Sequence, residues 1–138
     1  MGKRGPSTPR RKRRLNTGPE ILTGSTRLKA GTSQKLVLNM LSTAAFIRRG
    51  KVYENVMVDL QGTNEKLKRR SRRIIREVAE ISEDEATELL SAAGGSVKVA
   101  VVMGKANVSP EEARELLGAA QGNVRHALET HSIRTAKR

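Results

Sequence analysis

The sequence predicts a mostly α protein, and three observations carry that expectation. Leu36, Val37, Met40, Leu41, Ala44, Ala45 and Ile47 recur at helical spacing and fill a wide apolar stripe. Leu67, Ile74, Ile75, Val78 and Ile81 form a second stripe of the same period. The last third of the chain repeats itself at a 27-residue offset, and each copy reads as two helices joined at a glycine.

In chain order, residues 1–16 form a basic tail rich in Pro, Gly and Arg. It has no apolar periodicity and is expected to be disordered. Thr17–Gly31 is rich in Gly, Ser and Thr and reads as a loop. The first helix starts with Thr32 or Ser33 as N-cap, or as early as Ser25 with Gly31 inside it. Gly50 stops it. A helix so apolar is expected to be buried in a larger body or in an oligomer interface, and left uncovered it would promote association. Val52–Leu60 alternates apolar and polar residues, which suggests a short strand or an extended segment. Thr63 or Asn64 caps the next helix, whose outer face carries the arginines of KLKRRSRRIIR, Lys66–Arg76.

The repeat pairs Ser82–Val102 with Ser109–Glu129. Each copy opens on a serine cap followed by acids, which complement the helix dipole. Pro110 takes the first helical position of the second copy. Each copy breaks at a glycine (Gly95, Gly122) and is expected to resume with a shorter helix. One such pair cannot bury its own apolar face, so the pairs are expected to pack on each other or on the preceding helix. In architecture they resemble small ubiquitin-associated-type modules. His126 occupies the place of Val99 in the first copy and is expected on a helix flank.

Composition narrows the function classes. The chain has 138 residues and no cysteine, which removes disulfides, thiolate metal sites and cysteine nucleophiles. No apolar run approaches the roughly 18 residues that span a bilayer. Two histidines five residues apart with no acidic cluster make a poor metal site. The net charge is +13, yet residues 1–14 hold seven cations and no acid, leaving 20 cations against 14 acids beyond them. With one Tyr, one Phe and no Trp, the aromatic platforms of a single-strand binder are missing. The cations of Lys66–Arg76 are therefore read as a solvated helix face, and nucleic acid is not expected as a partner.

The segment GPEILTGSTRLKAGTSQKLVLN, Gly18–Asn39, suits phosphate. Gly24 permits close backbone approach, Ser25 and Thr26 offer hydroxyls, and Arg27 and Lys29 offer charge. Glu20 is placed to accept hydrogen bonds from sugar hydroxyls. By residue types alone the same segment also reads as an ordinary loop capping a helix.

The run GPE-x-LTGSTR-x-KAGT, followed by GKVYENVMVDLQGTNEKL, resembles the C-terminal half of N-acetylmuramic acid 6-phosphate etherases, which share a family with the vertebrate glucokinase regulatory protein. The resemblance is dense over residues 18–67 and looser to about Leu128. It implies the C-terminal part of an α/β/α sugar isomerase domain (17–64) followed by a small helical domain (65–138) with two helix–turn–helix repeats (82–102, 109–129). It also implies a cytoplasmic lyase of cell-wall recycling, usually homodimeric, that needs an acid and a base but no metal or cofactor. Its substrate would be a sugar phosphate, N-acetylmuramic acid 6-phosphate. Glu20, Ser25, Thr26, Arg27 and Lys29 are carried over as lining or support of that sugar-phosphate site. The family's N-terminal Gly/Ser loop and its catalytic glutamates have no counterpart here, and MGKRGPSTPRRKRRLN resembles nothing in the family. No catalytic residue is therefore assigned. Glu54, Asp59 and Glu65 are read as surface or capping residues. The expectation is a C-terminal portion, inactive alone, from a truncated, frameshifted or misassigned gene. A noncatalytic sugar-phosphate-binding or regulatory module is the alternative, and a basic nucleic-acid-binding protein is third.

Overall fold

The computed structural model describes residues 14–61 and 63–136, so most of the basic tail lies outside the described residues. Six helices and one hairpin follow in order: α1 (Lys29–Arg48), β1 (Val52–Tyr53), β2 (Val56–Met57), α2 (Glu65–Ala79), α3 (Glu83–Ala92), α4 (Val97–Ala106), α5 (Pro110–Ala119) and α6 (Val124–Ala136). The mostly helical expectation holds. The chain divides into two compact units, residues 1–42 and 43–138, with the division falling inside α1.

α1 begins at Lys29, so Thr32 and Ser33 lie inside the helix and do not cap it. The start falls between the two alternatives, after Ser25 but with Gly31 inside the helix, because the first amides of α1 find their acceptors upstream. Its end is a glycine-closed turn, with Gly50 N donating to Ile47 O and Lys51 N to Phe46 O, both at 3.0 Å. Gly50 adopts φ +64°, and a Cβ there would sit 2.9 Å from Asn123 Cα and from Gly122 O. No other residue satisfies both demands. Val52–Leu60 is only partly a strand: Val52 pairs with Met57 and Tyr53 with Val56 in a two-residue antiparallel ladder.

The second unit is organised around α4, which packs against α2, α3, α5 and α6. Val97, Val99, Ala100, Val101, Val102 and Met103 of α4 are all buried. Gly104 lets this helix approach closely, since a Cβ there would meet Ala79 Cβ at 2.9 Å and Leu89 Cδ1 at 3.2 Å. From α2 the core takes Ile74, Ile75 and Val78; Leu67 and Ile81 are half-buried. Asn64 caps α2, its Oδ1 accepting from Leu67 N at 2.9 Å.

The repeat survives in three dimensions. Ser82 and Ser109 cap α3 and α5 by accepting from Glu85 N and Glu112 N, both at 3.2 Å. The turns share left-handed residues at equivalent places, Gly94 and Gly95 in one and Gln121 and Gly122 in the other. Ala86 and Ala113, Leu90 and Leu117, Val97 and Val124, and Ala100 and Ala127 are buried in matching pairs. The second helices are not shorter than the first: α4 matches α3 at 10 residues, and α6 runs to 13. Neither meets a glycine turn or a proline where shortening was expected, so each continues through its apolar and helix-forming residues.

Candidate functional site: the loop at the head of helix α1

Gly18 (φ +70°) and Gly24 (φ +86°) turn the chain so that residues 18–28 fold back on the start of α1. Ser25 N closes the turn onto Leu22 O at 3.0 Å. The carboxylate of Glu20 then reaches across: Lys29 N donates to Oε2 at 3.0 Å and Ala30 N to Oε1 at 2.9 Å. Gly31 N donates to Thr26 O at 2.8 Å and Thr32 N to Leu28 O at 3.2 Å. The first turn of α1 therefore has its amide groups satisfied from within the chain. Gly31 makes this possible, because a Cβ there would lie 3.0 Å from Thr26 O.

A helix start attracts anions, and here the anion is Glu20. Its pKa lies below the usual glutamate value, first because of the Ala30 N–H, then the Lys29 N–H, with the Lys29 charge adding less. Glu20 thus acts as a side-chain cap delivered from nine residues upstream, which fits the reading of this segment as a loop capping a helix, although residue types did not single out Glu20 as the cap. The other four residues of the sugar-phosphate assignment follow on one short stretch. Ser25 is half-buried, whereas Thr26, Arg27 and Lys29 are exposed. Neither Arg27 nor Lys29 forms an ion pair among the described residues. An apolar groove of about 760 Å³ runs beside α1, lined by Leu15, Val37, Leu38, Met40 and Leu41 among others. None of the five assigned residues lines it.

The remaining carboxylates of the sequence reading sit elsewhere. Glu54 is exposed, at φ +52° in the hairpin turn. Glu65 pairs with Arg72 at 3.4 Å. Asp59 is held between two lysines, Lys51 at 2.9 Å and Lys98 at 3.1 Å. Its pKa is lowered, chiefly by the hydrogen bond from Lys51 and then by Lys98. Arg125, the repeat counterpart of Lys98, lies over the Tyr53 ring at 5.7 Å. Equivalent cations of the two repeats therefore hold the hairpin and the residue two places beyond it. His126 is exposed on α6, as expected of a helix flank, and His131 is half-buried.

Fold and loop together define a class: a glycine- and hydroxyl-rich cationic loop tied to the head of an apolar helix, followed in sequence by a helical repeat domain. Comparison with known proteins adds the relatives. Over 64% of its length the chain is 61% identical to the N-acetylmuramic acid 6-phosphate etherase of Geobacillus sp. (strain WCH70) and 57% identical to that of Staphylococcus epidermidis. The etherase of Oceanobacillus iheyensis is 61% identical over 63% of the chain. The chain is thus homologous to a segment of these etherases, and it spans about 30% of their length. No family model matches it. Among the described residues no helix is long and apolar enough to cross a membrane.

Proposed function

We propose that the chain serves as the C-terminal portion of a cytoplasmic N-acetylmuramic acid 6-phosphate etherase, a lyase that cleaves the D-lactyl ether to N-acetylglucosamine 6-phosphate and D-lactate. The observation that carries the reading is the identity of 57–61% to etherases over 87–89 residues. Under this reading Ser25, Thr26, Arg27 and Lys29 line or support the sugar-phosphate site. Glu20 fixes the loop that presents them. Arg27 suits the phosphoryl group because its planar fork can donate two parallel hydrogen bonds, and Lys29 adds a point charge.

Elimination of lactate followed by addition of water needs a general acid and a general base. The carboxylates that the sequence reading singled out are otherwise engaged or exposed. Glu20 is committed to two amides and Asp59 to two lysines, and both are held below the usual carboxylate range. The chain alone is therefore expected to bind the sugar phosphate without cleaving it. Leu36, Leu38, Met40 and Leu41 of α1 are more than half exposed, which supports self-association as a homodimer.

Incubation of the purified chain with N-acetylmuramic acid 6-phosphate tests this directly. Binding without D-lactate release is the expected outcome. Release of lactate would overturn the assignment of no catalytic pair, and absence of binding at millimolar ligand would overturn the grip. Binding by the alternative, a noncatalytic regulatory module, differs in one respect: its affinity would survive loss of the lactyl ether, so N-acetylglucosamine 6-phosphate would bind equally well.

A further inference from the structure

A polar cleft lies in the helical unit, away from the loop at residues 18–29 in sequence. Helices α2 and α3 pack against each other. Between them is a cleft of about 280 Å³ lined by Lys68, Arg72, Thr87, Leu90, Ser91 and Gly95. Lys68 and Arg72 are four residues apart on α2, and Thr87 and Ser91 are four apart on α3. Such spacing places each pair on one side of its helix. Two cations and two hydroxyls therefore line the cleft beside Leu90 and Gly95, with no carboxylate in the lining. Lys68 forms no ion pair among the described residues, and Arg72 gives one Nη to Glu65 at 3.4 Å. Its other donors remain available, since a guanidinium carries five N–H groups. Ser91 Oγ makes no hydrogen bond among the described residues, while Thr87 Oγ1 donates to Glu83 O at 2.8 Å.

We propose that this cleft binds a phosphoryl dianion, held by Lys68, Arg72 and the Ser91 hydroxyl. The donor set is what the ligand requires: a point charge, a planar fork and a neutral hydroxyl lining one concavity. The volume is ample, because one water occupies about 30 Å³ in the liquid. The ligand enters as inorganic phosphate or as a phosphate monoester, which share this chemistry. Cationic side chains that merely cover Leu90 with their stems would show no preference for phosphate over chloride.

The test is an amide NMR titration of the full chain with sodium phosphate, against sodium chloride at matched ionic strength. Saturable shifts at Thr87, Ser91 and Gly95 with phosphate alone are expected. Lys68→Gln and Arg72→Gln should each weaken binding about tenfold, the scale of one charge-assisted hydrogen bond. Arg69→Gln removes the same charge from the exposed face of α2 and should change affinity less than about twofold, as a diffuse charge effect would. If Arg72→Gln perturbs folding, the exposed Lys68→Gln change carries the comparison. A parallel titration with glucose 6-phosphate separates the sources, tighter binding identifying a monoester and equal binding the phosphoryl group alone. Absence of saturation, or equal loss in Arg69→Gln, would overturn the proposal. Arg27→Gln leaves this cleft intact, so failure here and failure of the etherase reading are distinguishable.

Discussion

Helices α1 and α4 are both rich in apolar residues, yet they use them in opposite ways. α4 buries six side chains within ten residues, surrounded by α2, α3, α5 and α6. α1 is twice as long and buries none. Leu38 stands beside the stripe that Leu36, Val37, Met40 and Leu41 form, so the apolar surface of α1 is broader than one stripe. Such a helix is at home only with neighbours on several sides. The difference teaches that apolar sequence alone does not locate a core; the presence of partner elements decides which apolar helix is stabilised by burial.

Truncating one residue in each unit separates buried from exposed apolar contributions. Ile75 is fully buried, so Ile75→Ala should cost about 2–5 kcal/mol in urea unfolding. Leu38 is 58% exposed, so Leu38→Ala should change stability by less than about 0.5 kcal/mol while reducing self-association in light scattering. Similar losses at both positions would erase the distinction. Gly50→Ala comes next in size. It forces a side chain into the left-handed region and against the Gly122–Asn123 backbone, at about 1–3 kcal/mol in the same assay.

Ser71 gives a smaller effect of opposite sign. Its hydroxyl is wholly buried in α2 with no partner among the described residues. A buried unsatisfied polar group costs about 1–3 kcal/mol, so Ser71→Ala should be neutral or stabilising by up to about that much. A clear loss of stability would show that the hydroxyl has a partner.

The smallest effect concerns Glu20. Its folded pKa lies below the unfolded value, so its contribution is present above the unfolded pKa and is lost as pH falls through the folded one. Helicity of α1 should therefore decline on acidification below the ordinary carboxylate range. Glu20→Gln should flatten that dependence when followed by amide exchange at Lys29 and Ala30.

Features set by short-range pattern were legible in the sequence. The 27-residue offset located four helices, and the alanines and leucines it aligned are the ones that pack in equivalent places. The two serine caps were readable, as was Asn64 as one of two candidates with Thr63, because each lies three residues from its donor. What escaped depended on chain reversal or tertiary contact. Glu20 lies nine residues before the amide it caps, and Asp59 meets a lysine of α4 far along the chain. The demand on Gly50 comes from residues 122 and 123. For the candidate site, residue types offered both a phosphate-suited loop and an ordinary loop capping a helix; the loop does cap the helix start, but through Glu20, which residue types did not single out for that role.

Calorimetric titration of the chain with N-acetylmuramic acid 6-phosphate, beside the Arg27→Gln variant, tests the central claim most directly. The expected result is a measurable heat at millimolar ligand and an affinity that the variant lowers about tenfold or more, the loss of a charged hydrogen bond. Equal binding by both proteins, or no heat from either, would contradict it.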